Sequence, residues 1–318
     1  MASFEEAVKK YPEQFSYESD IQNTAPVGFN KFVIAGMGGS GLAAGIIKAL
    51  KPELDIIEHR DYALPAEVLT KAGVAADTLF IAVSYSGNTK ETIDFFNQAQ
   101  SRGLNVAVVT TGGELLKLAK EKGVPYVQIP DIGVPARMAV GLMVRATLKL
   151  MGEEMLLNEL KDLSTSLDPM RWENKGKYLA DQLFNKAAII YASTRNQALA
   201  YNWKIRLNET GKTLAFYNVL PELAHNEIAA LADKPYTAYI FLKDDEDDPR
   251  VKKAMDYLEK RYFWGEAAPL EGESRPVRFF NSVLLADWTG FYSSERLGIA
   301  WDDATLIEEF KKLNYGEG

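Results

Sequence analysis

Short apolar runs alternate with amphipathic stretches through the first half of the chain. Segments in which apolar residues recur every three or four positions, such as LAAGIIKAL after the first run, are typical of helices. Apolar runs separated by helices indicate βαβ units, in which a parallel sheet is covered by helices on both faces. The first half is therefore predicted to be a doubly wound α/β domain. Its predicted strands are the runs at residues 32–36, 54–59, 78–84, 105–110 and 125–130.

The same alternation starts again after a helical zone between about residues 135 and 178. A strand at 187–193 is followed by a helix, and further strands are predicted at 213–220 and 236–242. A helical segment is predicted at 221–231, and the last two periodic segments of the chain are also predicted helices. Because strand, loop and helix follow one another as they do at the start, we expect a second doubly wound domain.

The length of 318 residues fits two domains better than one, because a single core rarely grows that large. We expect a first domain at residues 1–152 and a second at residues 153–318. No apolar run reaches the roughly 18 residues that a membrane span needs. The charged N-terminal segment also lacks the apolar centre of a signal peptide. A cytoplasmic protein is therefore expected, with no membrane as a partner.

Charge and residue usage narrow the chemistry further. A net charge of −8 without a basic cluster argues against nucleic acid as a partner. The chain has no cysteine, and its two histidines are His59 and His225, so neither a structural metal nor a thiol nucleophile is expected. The acidic run KDDEDDPR at 243–250 is expected to form a solvated loop, with the next helix beginning at Pro249.

A glycine turn (residues 36–41) follows the first predicted strand. Gly36, Gly38 and Gly41 form the pattern G-x-G-x-x-G before a helical segment, as in turns that bind dinucleotides. The same turn suits any phosphate at a helix N-terminus, so a nicotinamide-dinucleotide dehydrogenase is only one alternative. Acidic residues near the distance expected for a ribose contact are Asp55, Glu58 and Asp61.

A second loop, SYSGNTKET at residues 84–92, also follows a strand and opens a helix; we call it the serine loop. Its hydroxyl groups, its glycine and the N–H groups of a helix N-terminus fit a dianionic phosphate. An ordinary helix cap by Asn88 or Thr89 explains one hydroxyl, but not three beside a glycine. Two such loops favour a small phosphorylated ligand over an extended dinucleotide. The loop residues concerned are Ser84, Ser86, Gly87, Asn88 and Thr89.

The segment SYSGNTKET resembles the motif of sugar isomerase domains, which bind phosphosugars. Three other segments, GMGGSGLA, NETGKTLAFYNVLPELAHNEI and YPEQF, are similar to segments of the bifunctional phosphoglucose/phosphomannose isomerases, and the resemblance runs from about Tyr11 to Lys312. It implies an α/β protein of two flavodoxin-like sugar isomerase domains, each a parallel sheet flanked by helices. It also implies an enzyme that isomerises glucose 6-phosphate and mannose 6-phosphate to fructose 6-phosphate through an enediol, without metal or cofactor.

The resemblance assigns catalytic roles to residues of both domains. Glu209 matches the base that moves a proton between C2 and C1, and it ends a predicted helix, where the helix dipole disfavours a carboxylate kept for structure alone. His225 matches the histidine that protonates the ring oxygen from the neighbouring subunit, which implies a homodimer. Arg137 matches the arginine that stabilises the enediolate, although Ala136 stands where the family usually has proline.

The remaining assignments concern the ring-opening lysine and the phosphosugar. Counting from Ile307 places the lysine at Lys311, and Lys312 is the alternative because Thr305 stands seven positions before it. The serine loop is expected to hold the phosphate, with the glycine turn beside the substrate carbons. A phosphosugar sensor without catalysis is a further alternative. The residues assigned to substrate binding are Gly38, Gly39, Ser40, Ser84, Ser86 and Thr89.

Overall fold

The structure is a computed structural model that describes residues 3–69, 77–230, 236–261 and 265–315. The chain forms two compact units, Met1–Pro169 with Gly272–Arg278 and Met170–Glu271 with Phe279–Gly318. The boundary predicted between residues 152 and 153 stays a prediction. None of the helices in these described ranges is long and apolar enough to cross a membrane.

The first unit is built on a six-stranded sheet. Its strands are β1 (Ile21–Gln22), β2 (Lys31–Ala35), β3 (Asp55–His59), β4 (Thr78–Val83), β5 (Val106–Thr110) and β6 (Tyr126–Gln128). They lie in the order β1-β6-β5-β4-β2-β3, and neighbours are parallel except β1 and β6. Counted among themselves, the parallel strands have the order 2-1-3-4-5 of flavodoxin-like sheets, which confirms the predicted fold class. The antiparallel β1 escapes the prediction because two residues show no periodicity.

Helices cover both faces of this sheet. The helices of this unit are α1 (Phe4–Lys9), α2 (Leu42–Leu50), α3 (Ala66–Leu69), α4 (Lys90–Ser101), α5 (Gly113–Lys122), α6 (Val140–Met151), α7 (Glu154–Lys161) and α8 (Leu163–Ser166). Phe95 of α4 and Leu115 of α5 join Phe80 of β4 in one buried cluster, while α6 packs on β4, β5 and α2. All six residues of β4 are buried, and successive side chains of a strand point to opposite faces, so neither face is open to water.

The second unit has a four-stranded sheet in which every neighbouring pair is parallel. Its strands are β7 (Ala187–Ser193), β8 (Ala215–Leu220), β9 (Thr237–Lys243) and β10 (Gly265–Pro269). The order β10-β9-β7-β8 repeats that of the first four parallel strands of the first unit, which confirms the predicted second doubly wound domain. β10 escapes the prediction because its sequence, GEAAP, contains no apolar run.

The helices that accompany this sheet are α9 (Glu173–Leu183), α10 (Gln197–Glu209), α11 (Pro249–Arg261), α12 (Arg275–Leu297) and α13 (Thr305–Tyr315). Met255 of α11 packs against Tyr191 and Phe241 of the sheet in a buried cluster. Trp203 is completely buried on α10, which packs on β7 and β8. Helix α11 begins at Pro249, as predicted.

The helix predicted over 221–231 is wrong for the described part of that segment. These residues form two short 3-10 turns, Glu222–His225 and Glu227–Ala230, with Asn226 between them in a non-helical conformation. Within the two turns only Leu223 is buried. The segment therefore has no apolar face that would hold a longer helix against the core.

The acidic run was expected to be solvated, and this is wrong for two of its residues. Asp244 and Asp247 are only 1% and 6% exposed. Ser193 Oγ donates to Asp247 Oδ1 at 2.6 Å, Asn196 Nδ2 donates to Asp244 Oδ2 at 3.1 Å, and Arg195 forms an ion pair with Asp244 at 3.8 Å. Buried carboxylates persist when they are paired and hydrogen-bonded, and these partners stand about 50 residues earlier in the chain, where charge pattern alone cannot reveal them.

Candidate active site

The glycine turn joins the end of β2 to the start of α2 and lies against neighbouring backbone. The Gly36 N–H donates to the His59 carbonyl at the end of β3, at 3.2 Å. A Cβ placed on Gly39 would lie 2.4 Å from the backbone nitrogen of Arg137. Glycine at position 39 is therefore required for contact between two backbone segments, independently of any ligand.

The serine loop is organised from within by Ser84, which is completely buried. Its Oγ lies 2.9 Å from Thr89 Oγ1 and accepts a hydrogen bond from the Gly87 N–H at 3.1 Å. Ser86 is exposed, and its Oγ accepts from the Asn88 N–H at 3.3 Å. Ser84 thus shapes the loop, whereas Ser86 and the half-buried Thr89 reach its surface.

The side chains at the start of α4 do not act as ordinary helix caps. Thr89 is the N-cap residue, but its hydroxyl accepts no hydrogen bond from the first turn of α4. The Asn88 Oδ1 atom accepts from the Glu114 N–H at 3.0 Å, at the start of α5. Thr89 is therefore the N-cap by position, as the capping alternative allows, but its hydroxyl does not cap the helix and Asn88 bonds elsewhere. The partial positive charge of the α4 N-terminus lies beside a loop rich in hydroxyl groups.

Tyr85 ties the serine loop to two other segments. Its N–H donates to Ser40 Oγ at 2.9 Å, which links the serine loop to the glycine turn. Its phenol donates to Asp131 Oδ1 at 3.1 Å and accepts from the Ile132 N–H at 3.1 Å. Burial raises the pKa of Tyr85 to about 12, so the phenol remains a donor well above neutral pH.

Arg137 stands five residues after Ile132, in the 3-10 turn Ala136–Met138, and is 6% exposed. The first unit thus places this arginine, the glycine turn and the serine loop together at the carboxyl ends of β2 and β4. Ligands of open α/β sheets bind at this edge. The predicted substrate residues brought together here are Gly38, Gly39, Ser40, Ser84, Ser86 and Thr89.

Glu209 is the last residue of α10, as predicted, and is half-buried. Its carbonyl accepts a hydrogen bond from Lys212 Nζ at 2.6 Å. The same ammonium donates to the Asp303 carbonyl at 2.5 Å, just before α13. Lys212 has a φ of 52°, a left-handed conformation that is uncommon outside glycine and that turns the chain sharply after Glu209. The two hydrogen bonds of its ammonium group hold this turn in place.

A buried ion pair anchors α10 one turn before Glu209. Arg206 Nε donates to Asp287 Oδ1 of α12 at 2.8 Å, and both side chains are 0% exposed. Arg206 Nη1 also donates to Asn202 Oδ1 at 2.9 Å. The helix that ends at Glu209 is therefore held against α12 by a buried ion pair.

His225 and Lys311 stand on two further elements of the second unit. His225 is exposed at the end of the 3-10 turn Glu222–His225. Lys311 is exposed on α13 and forms an ion pair with Glu308 at 2.7 Å, and Lys312, the alternative, is exposed on the same helix. The roles assigned to these residues stay predictions.

The other histidine, His59, is the last residue of β3. His59 Nε2 lies 3.0 Å from the Ala63 carbonyl, and the imidazole packs against the Phe95 ring with centroids 5.6 Å apart. These contacts give His59 a structural role in the first unit. Among the residues that the structure describes, no group of three or more acidic, histidine or cysteine side chains is arranged to hold a metal ion.

Sequence reasoning alone did not single out Tyr85, which ties the serine loop to other segments, or Lys212, which fixes the turn after Glu209. Tyr85 stands inside the quoted serine loop and Lys212 inside NETGK. Their membership of these segments was the available signal. Their roles depend on partners far away in sequence or on a backbone conformation, neither of which a motif displays.

Comparison with known proteins gives matches along the whole chain. A family model of the bacterial phospho-glucose isomerase C-terminal SIS domain matches residues 172–313. A bifunctional phosphoglucose/phosphomannose isomerase of Caldicellulosiruptor bescii is 32% identical, with 90% of this chain and 91% of that protein covered. A protein of the same name from Aquifex aeolicus is 29% identical, with 96% of each chain covered.

A solved structure shows the same fold at lower identity. The C-terminal domain of glucosamine-fructose-6-phosphate aminotransferase from Francisella tularensis superposes with a TM-score of 0.71. The match covers 94% of this chain and 98% of that one, at 13% identity. At this identity the likeness concerns the fold alone.

Proposed function

Because the chain belongs to the bifunctional phosphoglucose/phosphomannose isomerase family, we propose that it interconverts glucose 6-phosphate and mannose 6-phosphate with fructose 6-phosphate. The observation that carries the proposal is the meeting of the serine loop, the glycine turn and Arg137 at one edge of the first sheet. The two aldoses differ only in configuration at C2 and give the same enediol. A site that admits either face of C2 therefore serves both sugars.

The serine loop holds the phosphate in this proposal. The hydroxyl groups of Ser86 and Thr89 donate to the phosphate oxygens, and the N-terminus of α4 contributes its partial positive charge. Ser84 keeps the loop in shape through Thr89 and Gly87. The glycine turn then lies beside the sugar carbons, next to Arg137.

The reaction is a proton transfer between neighbouring carbons. The Glu209 carboxylate removes the proton from C2 of the open-chain aldose, and the electron pair forms the C1–C2 double bond of the enediolate. The Arg137 guanidinium offsets the negative charge that develops on oxygen. The hydroxyl proton passes from O2 to O1, and return of the first proton to C1 gives the ketose, so that C2 is oxidised as C1 is reduced. His225 and Lys311 assist ring opening before this step.

A coupled assay with each aldose phosphate, with and without a chelator, tests the function. We expect turnover of both sugars and the same rate in the chelator, because a carboxylate and a guanidinium carry the chemistry without a metal. If neither glucose 6-phosphate nor mannose 6-phosphate were turned over, the proposal would be contradicted. Loss of activity in the chelator would contradict its metal-free mechanism.

Removal of the surface hydroxyls of the serine loop is expected to raise KM selectively. Each charge-assisted hydrogen bond to phosphate contributes about 1.5–3 kcal/mol, so a Ser86→Ala, Thr89→Ala variant, which loses two of them, should bind phosphosugars at least roughly a hundredfold more weakly. The kcat value should change little, because proton transfer does not involve these groups. Steady-state kinetics with fructose 6-phosphate measures both quantities.

Ser101→Ala is the matched control, since Ser101 ends the same helix and its hydroxyl donates to the Gln98 carbonyl. This variant should keep the wild-type KM. A double variant of the serine loop whose KM also stays at the wild-type value would show that the phosphate binds elsewhere.

The enzyme acts as a homodimer in this proposal, with His225 reaching the partner's site. Two observations support it: His225 is exposed, and α13 presents exposed apolar residues. Leu306, Phe310 and Leu313 on that helix are 80%, 62% and 84% exposed in the single chain. A partner that covers such a face would gain apolar burial.

Subunit mixing tests this arrangement. Glu209→Gln and His225→Asn variants, inactive alone, are refolded together and assayed. Half of the dimers should be mixed with one intact site each, which gives about a quarter of the wild-type activity for a symmetric dimer. A mixture that is no more active than its components would show that His225 acts within its own subunit.

A further inference from the structure

The side chain of Gln14 forms hydrogen bonds with the backbone that directly follows Arg137. Gln14 is only 4% exposed, and its Nε2 donates to the Met138 carbonyl at 2.7 Å. Its Oε1 accepts from the N–H groups of Gly141 and Leu142, at 3.0 and 3.4 Å. Gln14, which is far away in sequence, therefore satisfies a backbone carbonyl at the end of the Arg137 turn and two backbone N–H groups at the start of α6.

No side chain of the turn itself provides these hydrogen bonds. The N-cap residue of α6 is Ala139, which has no polar side chain. A Cβ on Gly141 would lie 2.8 Å from Gln14 Cβ and 2.9 Å from its Oε1, so glycine at 141 admits the amide. The Arg137 turn is thus fixed at its start by backbone contact with Gly39 and at its end by Gln14.

We propose that Gln14 is a positioning residue for isomerisation, acting through Arg137. The inference rests on the function proposed above, in which Arg137 offsets the charge of the enediolate. Such stabilisation depends on groups held in place before the charge develops, and a displacement of about 1 Å can cost roughly a hundredfold in rate. Gln14 is buried behind the turn and fixes the main chain from which the guanidinium extends.

A purely structural role for Gln14 predicts a different result. If the amide only stabilised the first unit, its loss would lower the folded fraction and leave the rate of each folded molecule unchanged. If Gln14 positions Arg137, its loss lowers kcat for folded protein. In that case KM, which depends mainly on the serine loop, changes little.

The experiment compares Gln14→Leu with a matched control, Asn23→Asp. The Asn23 Nδ2 also donates to a backbone carbonyl far away in sequence, that of Val124 at 2.7 Å. Val124 lies just before β6, and this hydrogen bond does not involve the Arg137 turn. Asn23 has a φ of 65°, which aspartate tolerates. Gln14→Leu should lower kcat roughly a hundredfold with KM within about threefold, whereas Asn23→Asp keeps both values. Circular dichroism gives the folded fraction to which each rate is normalised.

Two ligands distinguish stabilisation of the enediolate from binding of the phosphate, without turnover. A hydroxamate analogue of the enediolate should bind Gln14→Leu more weakly by the factor lost in kcat. Glucitol 6-phosphate, which has the phosphate but cannot form an enediolate, should bind with its wild-type affinity. Equal losses for both ligands would show a general disturbance of the site.

Gln14→Glu supplies a second test through pH. The neutral acid can donate to the Met138 carbonyl and accept from Gly141, as the amide does, whereas the carboxylate cannot donate. Burial favours the neutral form, so the activity of this variant relative to wild type should rise from about pH 8 to about pH 5. The relative activity of Gln14→Leu should stay flat. If Gln14→Leu does not fold, the pH ratio of Gln14→Glu decides alone.

The inference is overturned if folded Gln14→Leu matches Asn23→Asp in kcat, or if the ratio for Gln14→Glu does not change with pH. Wild-type protein without isomerase activity would instead contradict the proposed function. The two failures are therefore distinguishable.

Discussion

Replacing Glu209 by glutamine is expected to lower kcat by roughly 10³- to 10⁴-fold, the upper part of what a general base contributes. The amide has the size of the carboxylate but cannot accept the C2 proton at neutral pH. Phosphosugar affinity should remain, since the serine loop is unchanged. Exchange of the C2 hydrogen with deuterium from the solvent, followed by NMR, measures the proton transfer directly.

Glu295→Gln is the matched control, because Glu295 is also a glutamate near the C-terminus of a helix of the second unit and is exposed. It should exchange the C2 hydrogen at the wild-type rate. If Glu209→Gln also exchanges at that rate, another group is the base. Wild-type protein that binds phosphosugars but never exchanges this hydrogen would be a sensor and not an enzyme.

Removal of the Asp287 carboxylate is expected to produce the largest loss of stability. Asp287→Ala leaves the completely buried Arg206 guanidinium without its ion-pair partner, and breaking such a pair typically costs about 3–5 kcal/mol. The free energy of unfolding, measured in urea, should fall by that amount. The kcat value should fall as well, because Arg206 lies one turn before Glu209.

An exposed pair in the same unit serves as the control. Arg195 and Glu246 are 40% and 48% exposed, and Glu246→Ala should change the free energy of unfolding by less than about 1 kcal/mol. A double variant, Arg206→Met with Asp287→Leu, removes both buried charges and should recover part of the loss. If Asp287→Ala is no less stable than Glu246→Ala, the buried pair does not anchor α10.

The sequence predicts those parts of the fold whose residues are apolar along a continuous stretch. All six residues of β4 are buried, and its run TLFIAV is visible without any partner. β10 pairs with β9 through backbone groups, and its sequence GEAAP gives no such signal. Helix α11 was predictable because Pro249 marks its start, whereas the turns around Asn226 depend on how little of that segment is buried.

The candidate site shows the same limit. Motifs identify the serine loop and the glycine turn because hydroxyl groups and glycines are close together in sequence. Gln14 acts on a turn 124 residues later, and the structure is needed to join them. Gly39 has a second constraint that its motif does not show: its predicted contact with the sugar stays a prediction, and the structure places it against the backbone of Arg137. A glycine in the sequence indicates that another group lies close to the backbone, but it does not indicate which group.

The acidic run, in which Asp244 and Asp247 are buried, also distinguishes the two sheets. β4 and β9 hold the same place in their sheets, and the loops after them are SYSGNT and DDEDD. The first loop offers hydroxyl donors to an anion, whereas the second offers carboxylates, two of which are engaged inward by Ser193 and Asn196. A dianion that approaches the second loop meets like charge, so we expect a phosphate site in the first unit alone. Calorimetric titration should accordingly saturate at one phosphosugar per chain.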